Sequence, residues 1–287
     1  MNKGSKYWEN PWMKFDLIEL ANTQRSITNF VKILTRKEIP VEFTTTGDSM
    51  TDGKSITISS NITQNTLDST IGLALHEGAH CAYTNFDVPK KIGNLLLERN
   101  LIHGKEIILL LLNFVEDRRI DQLVYNMAPG YQSYYKSMYD KYFYNNTVDN
   151  GIRSNKFRKE NWESYIFRII NIFNKNTDLT ALTKLKEVYN ILDLKNINRL
   201  KSTLNSFDIA CKMYSCIRDY LVTLTKEEYA KQNQLNEKNN NPKGASIKSL
   251  KNLLKKQEDF TLGKVHKSKI SALHKNKIKA ISESLIK

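Results

Sequence analysis

One apolar segment of the sequence carries a metal-binding pattern: Ile71-Gly-Leu-Ala-Leu-His-Glu-Gly-Ala-His-Cys-Ala-Tyr83 contains H-E-x-x-H at His76, Glu77 and His80. The spacing of its apolar residues predicts a helix that ends near Tyr83. Residues four apart on a helix lie on the same face, one turn from each other. Both imidazoles are therefore predicted to point the same way and to bind one zinc ion.

The glutamate of this pattern is predicted to have a different role. Glu77 lies about 100° around the helix from His76, too far for a third ligand in the same plane. It is placed to accept a proton from a water molecule bound to the metal. Two of the five histidines in the chain fall in this segment, and its flanks are apolar, as a buried zinc helix requires. The alternative is a pair of hydrogen-bonded core histidines.

A zinc site of this kind needs a third protein ligand, and the segment Leu111–Asp121 (LLNFVEDRRID) offers candidates. Helical spacing places Glu116 on one apolar stripe with Leu112 and Ile120. A carboxylate inside a core stripe is costly unless a metal or another cation compensates its charge. This pattern favours Glu116 as the third ligand.

Asp117 is the rival for this role. It shares a helix face with Asn113 and Asp121, and these three residues are predicted to surround the metal ligands. Asp117 would then orient a ligating histidine through the ring nitrogen that does not bind the metal. The alternative for the whole segment is an ion network between the Glu-Asp pair and the following Arg-Arg pair on a surface helix.

HEGAH followed by an apolar helix with N-x-x-E-D-x-R-I-D resembles the zincin metallopeptidases of the glutamate-ligand type. More narrowly, it resembles the metallopeptidase domain found beside von Willebrand A domains in bacterial and phage proteins. The resemblance covers about residues 41–130. It implies His76, His80 and Glu116 as zinc ligands and Glu77 as the general base. It also implies a strand beside the cleft that pairs with an extended substrate.

The sequence departs from that family at two points. The glutamate-ligand type has an acidic residue four positions after the third ligand, where this chain has Ile120, so Asp117 or Asp121 must fill that role. The metal motif of a von Willebrand A domain, D-x-S-x-S, does not occur in the sequence.

The whole chain is predicted to have an α+β fold that is mainly helical, with a zincin-like core. Val41–Thr46 and Ser55–Ser59 alternate in polarity around a segment rich in turn formers, which predicts a β-hairpin. The predicted helices are one before Pro40, one from Asn65 or Thr66 to Tyr83, one at 92–101, one at 105–126, and a helical region from 131 to 230 with breaks at 145–151, 174–178 and near Asp193.

The C-terminal part differs in composition from the rest. Residues 1–230 are predicted to form the metallopeptidase domain, residues 231–244 a polar linker, and residues 245–287 a Lys-rich helical tail. The tail has eleven lysines and three acidic residues, and the chain as a whole has a net charge of +14. This charge favours contact with polyanions. The competing function is therefore a nucleic-acid-binding or structural assembly protein with a non-hydrolytic zincin scaffold, and a third role for the tail is docking on a partner protein.

Composition also bounds the class of protein. No apolar run approaches the ~20 residues of a membrane-spanning helix, so no membrane partner is expected. The three cysteines lack C-x-x-C spacing, which excludes a disulfide scaffold and favours a reducing cytoplasm. Heavy use of Lys, Asn, Ile and Tyr is typical of a low-GC bacterium or its phage. The leading prediction is a cytoplasmic zinc metallopeptidase, in a bacterium or a phage-infected cell, that acts on a protein or peptide substrate.

Overall fold

The computed structural model describes residues 17–44, 49–59 and 66–221. The predicted linker at 231–244 and the predicted Lys-rich tail at 245–287 lie outside these residues. The described part is predominantly helical with a small three-stranded sheet, as the sequence predicted.

The helices occupy most of the described ranges. The long helix that follows the motif begins at Lys105 and ends at Met127, close to the predicted bounds. The α-helices are α1 (Leu17–Thr35), α2 (Leu67–Tyr83), α3 (Asp87–Lys90), α4 (Ile92–Glu98), α5 (Lys105–Met127), α6 (Gln132–Tyr142), α7 (Asn146–Arg153), α8 (Trp162–Ile170), α9 (Leu185–Leu192) and α10 (Thr203–Ile217).

The sheet differs from the predicted hairpin. Its strands are β1 (Val41–Thr44), β2 (Met50–Thr51) and β3 (Ile56–Ser59), in the order β1-β3-β2. The two predicted strands do pair, but β1 runs parallel to β3, and the antiparallel partner of β3 is β2. The hairpin prediction was therefore wrong in its pairing. A parallel pair needs a crossing connection, and β2 lies within that connection, in the segment that the sequence analysis assigned to a turn.

The described residues form two compact units. The first contains residues 17–44, 49–59, 66–84 and 124–138. In this unit α1 packs against α2 and β1, and α2 contacts β2 and β3. Two glycines of α2 allow close packing: a Cβ atom on Gly78 would lie 3.0 Å from Val31 Cγ2, and one on Gly72 would lie 2.3 Å from the backbone oxygen of Tyr134.

The second unit contains residues 85–123 and 139–221. In it α9 packs against α8 and α10, and α10 contacts α3. The rings of Phe157 and Phe167 stack with centroids 4.0 Å apart, in a buried cluster with Val148 and Ile152.

One break predicted in the helical region is instead the start of a helix. Asn145 caps α7, because its side chain accepts hydrogen bonds from the backbone N–H groups of Thr147 and Val148. Asparagine favours both turns and helix N-caps, so the Asn-rich segment was compatible with either reading. The breaks predicted at 174–178 and at Asp193 are present, and Asp193 has the left-handed conformation that ends α9.

Among the described residues, the helices fall short of the combination of length and apolar character that crossing a bilayer requires.

Gly72 is a test of the packing around α2. We expect Gly72→Ala to lower the free energy of unfolding by about 1–3 kcal/mol, because the new methyl group would overlap backbone atoms of Tyr134. Gly93→Ala is the matched control: Gly93 is also helical, and a Cβ atom there meets nothing within 4 Å. It should be neutral or stabilising by up to ~1 kcal/mol. Urea unfolding of both variants checks this, and equal stability of the two would contradict the packing described here.

Candidate metal site

The metal-binding pattern lies in the buried middle of α2. This helix begins at Leu67 after its N-cap residue Thr66, whose backbone oxygen accepts hydrogen bonds from the hydroxyl groups of Ser69 and Thr70. Residues 72–79 of α2 are buried without interruption. His76 and Glu77 are therefore removed from water, with 0% and 3% of their surface exposed. Polar side chains at such depth need specific partners.

The two histidines meet as the sequence predicted. Their Nε2 atoms are 3.2 Å apart, and the planes of their rings are nearly perpendicular, at 88°. Two nitrogen ligands at ~2.0–2.1 Å from one tetrahedral zinc ion are separated by about 3.3 Å. The observed separation therefore fits two ligands of a single metal ion.

The ring of His80 is oriented through its other nitrogen. Its Nδ1 lies 2.9 Å from Thr84 Oγ1, and the backbone N–H of Thr84 donates to the His80 backbone oxygen at 3.0 Å. In the tautomer that carries its proton on Nδ1, His80 donates to the threonine and its Nε2 lone pair can accept a proton or bind a metal ion. The sequence analysis missed Thr84, because a threonine one turn beyond a histidine is an ordinary helix end.

Asp117 is the carboxylate that lies with the histidines. One ligand atom from each of His76, His80 and Asp117 lies within 4.8 Å of the other two, and Asp117 is 1% exposed. This group of two imidazoles and a carboxylate can hold a metal ion, and its donors are ones that zinc and other divalent transition metals accept.

Glu116, the predicted third ligand, is not part of this group. Its Oε2 accepts hydrogen bonds from Arg119 Nε at 2.8 Å and Ser206 Oγ at 2.7 Å. Its Oε1 accepts from Arg119 Nη2 at 2.6 Å and Thr203 Oγ1 at 2.8 Å. Burial raises the pKa of Glu116, but the hydrogen bonds and charge of Arg119, with those of the two hydroxyls, outweigh it, so the pKa lies below its ordinary value.

The role of Glu116 as third ligand stays a prediction, and its carboxylate has protein partners of its own. Glu116 is buried, as the apolar stripe indicated, and an arginine and two hydroxyls compensate its charge. The ion network considered for this segment is thus present for one pair, although it is buried rather than on the surface. Adjacent helical residues point about 100° apart, so Glu116 and Asp117 cannot serve the same partners.

Glu77 lies one helical turn before Cys81 on α2. Burial chiefly raises the pKa of the Cys81 thiol. Its hydrogen bond with Thr51 lowers this pKa, and the nearby charge of the Glu77 carboxylate raises it further. Thr51 belongs to β2, and its Oγ1 lies 3.1 Å from Cys81 Sγ. The predicted general base is therefore in the part of α2 that lies close to this strand.

The other acidic residue predicted near the metal has partners of its own. Asp121 accepts a hydrogen bond from the hydroxyl of Tyr139 at 2.7 Å, and its carboxylate lies 3.7 Å from Arg118 Nη2. Burial, opposed by the charge of Arg118 and assisted by Asp121, raises the pKa of Tyr139 well above its ordinary value. Asn113, the third residue of the predicted surround, is half-buried on the same helix.

Arg118 is buried in an aromatic environment that the sequence did not indicate. Its guanidinium carbon lies 4.8–5.6 Å from the centroids of four rings, which belong to Phe114, Tyr139, Phe143 and Phe173. Aromatic faces attract cations. Arg118 therefore fixes the side of α5 that carries Asp121, and the scattered positions of these rings in the sequence explain why this environment was not predicted.

Comparisons of the chain with protein-family models, with curated proteins and with solved structures found no match. The zincin resemblance stays a prediction from the motif. The functional assignment accordingly depends on the residues and distances of the site itself.

Proposed function

We propose that the protein is a zinc-dependent metallopeptidase. The observation that carries this proposal is the 3.2 Å separation of the His76 and His80 Nε2 atoms within an H-E-x-x-H pattern, with Asp117 completing a group of three ligands. Two histidines and a carboxylate are the donor set of one class of catalytic zinc site, in which a fourth position remains for water. The resemblance of the motif to zincins supports the same function.

The proposed division of roles follows from the side chains. His76, His80 and Asp117 would hold the metal, and Thr84 would orient His80. Bound zinc would supply a lowered pKa for its water and polarise the carbonyl group of a substrate. Glu77 accepts the proton of the attacking water and later donates it to the amine that leaves.

A peptide substrate fits the neighbourhood of Glu77. β2 lies at one edge of the sheet and contacts α2 through Thr51 and Cys81. An extended peptide can add to the edge of a sheet by backbone pairing. This arrangement supports a role for β2 in aligning the substrate beside the general base, in place of the hairpin strand expected from the sequence.

The metal requirement is tested first. We expect the purified protein to contain one zinc ion per chain, and His76→Ala or His80→Ala to lose it with a fall in thermal stability, since a metal that binds only the folded state stabilises that state. Elemental analysis and thermal unfolding measure both effects. Stoichiometric zinc that persists in both variants would refute the site.

The role of Glu77 is separated from metal binding by Glu77→Gln. The amide has almost the same shape but cannot accept the proton of water, so peptide hydrolysis should fall on the order of 10²-fold or more. Zinc content and melting temperature should stay at their wild-type values. Hydrolysis rates on a peptide library check this, and wild-type activity in the variant would exclude the mechanism. A wild-type protein that binds zinc but cleaves no peptide would favour the non-hydrolytic scaffold.

The identity of the third ligand is tested by the same chemical change at two positions of α5. Asp117→Asn removes a charged ligand, so the zinc dissociation constant should rise by more than the ~10–100-fold typical of losing a residue that only orients a ligand. Asp121→Asn is the matched control, because Asp121 is engaged by Tyr139 and Arg118. Competition with a chromogenic chelator measures both constants. A larger loss in the Asp121 variant would show that the assignment of Asp117 is incorrect.

A further inference from the structure

A buried network joins α5, α10 and the chain segment that follows α2. Its centre is the carboxylate of Glu116, which accepts two hydrogen bonds from Arg119 and one each from Thr203 and Ser206. All four hydrogen-bond distances lie between 2.6 and 2.8 Å. Each carboxylate oxygen accepts two hydrogen bonds. Because hydrogen bonds are directional, these four contacts restrain the rotation of α5 about its axis at Glu116.

The hydroxyl of Thr203 has a second partner. While it donates to Glu116, it accepts a hydrogen bond from the backbone N–H of Asn85 at 2.8 Å. Thr203 therefore joins the carboxylate of Glu116 on α5 directly to the backbone at Asn85.

The residues joined by this network are neighbours of the proposed metal ligands in the chain. Asp117 is the next residue after Glu116, so a rotation of α5 that moved one would move the other. Small displacements matter at a metal site, because ligand atoms must lie within a few tenths of an ångström of their positions.

We infer that Glu116, Thr203 and Ser206 are positioning residues of the proposed metal site, which hold Asp117 in its ligating geometry without touching the metal. This inference rests on the proposed function. It assigns part of the metal affinity to α10, which lies outside the segment that resembles zincins. It also gives Glu116 a role that explains its burial on α5 without making it a ligand.

The experiment compares Thr203→Val with Thr203→Ser. Valine has nearly the shape of threonine but lacks the hydroxyl. It therefore removes the hydrogen bond to Glu116 and the one from the Asn85 N–H, whereas serine keeps the hydroxyl and both hydrogen bonds. We expect the valine variant to bind zinc roughly 10–100-fold more weakly than wild type, and the serine variant to bind with nearly wild-type affinity. Competition with a chelator, at a temperature where the metal-free proteins are folded, measures these affinities.

A control distinguishes positioning from a general loss of stability. The hydroxyl of Thr177 donates to the backbone oxygen of Asn171 at 2.8 Å, in the loop after α8 and outside the network. Thr177→Val also removes a hydroxyl hydrogen bond, and it should lower the melting temperature of the metal-free protein with no change in zinc affinity. An equal loss of zinc affinity in this control would overturn the inference.

The remaining outcomes are also decisive. Should Thr203→Val fail to fold without metal, Ser206→Ala provides the same comparison, because it leaves Glu116 three of its four hydrogen bonds. Wild-type affinity in the folded variant would overturn the positioning role and leave the proposed metal site intact. Failure of the wild-type protein itself to bind zinc would remove the proposed function, and with it this inference.

Discussion

The structure depends on how α5 compensates the charges that it buries. Glu116, Asp117, Arg118, Arg119 and Asp121 are each 1–6% exposed. An ion removed from water without a partner costs several kcal/mol even after relaxation, so each of these groups requires compensation. Arg119 and two hydroxyls of α10 provide it for Glu116, and four aromatic rings with Asp121 surround Arg118. The helix thus buries three carboxylates and two guanidinium groups, an excess of one negative charge.

The part of the site that the sequence predicted is the part that depends on local spacing. The meeting of His76 and His80 follows from the period of the helix, and so does the burial of Glu116 in the apolar stripe. The partners of Glu116 do not follow from it, because Thr203 and Ser206 lie 87 and 90 residues further along the chain. The charge of a buried glutamate can be compensated by a metal ion or by an arginine with two hydroxyl groups. Only the tertiary structure shows which of these partners lies beside it.

The sheet shows the same limit on prediction. Alternating polarity located β1 and β3 correctly, since that pattern reports which faces of a strand are buried. It carries no information on whether neighbouring strands are parallel. The two residues of β2 are too few to give a pattern at all. They pair antiparallel with one edge of β3, and β1 pairs with the other edge. The hairpin prediction therefore had the right strands and the wrong partner.

The long separation between Glu116 and its hydroxyl partners has a consequence for biosynthesis. Domains of a growing chain fold progressively from the N-terminus as residues leave the ribosome. The histidine pair of α2 needs only its own helix, and so it can form early. The carboxylate of Glu116, in contrast, waits for Thr203 and Ser206, and until α10 is synthesised Arg119 is the only one of these three partners that is present. The nascent chain thus passes through a stage in which α2 is complete while α5 is still without its contacts to α10. The full set of hydrogen bonds to Glu116 can form only after α10 has emerged from the ribosome.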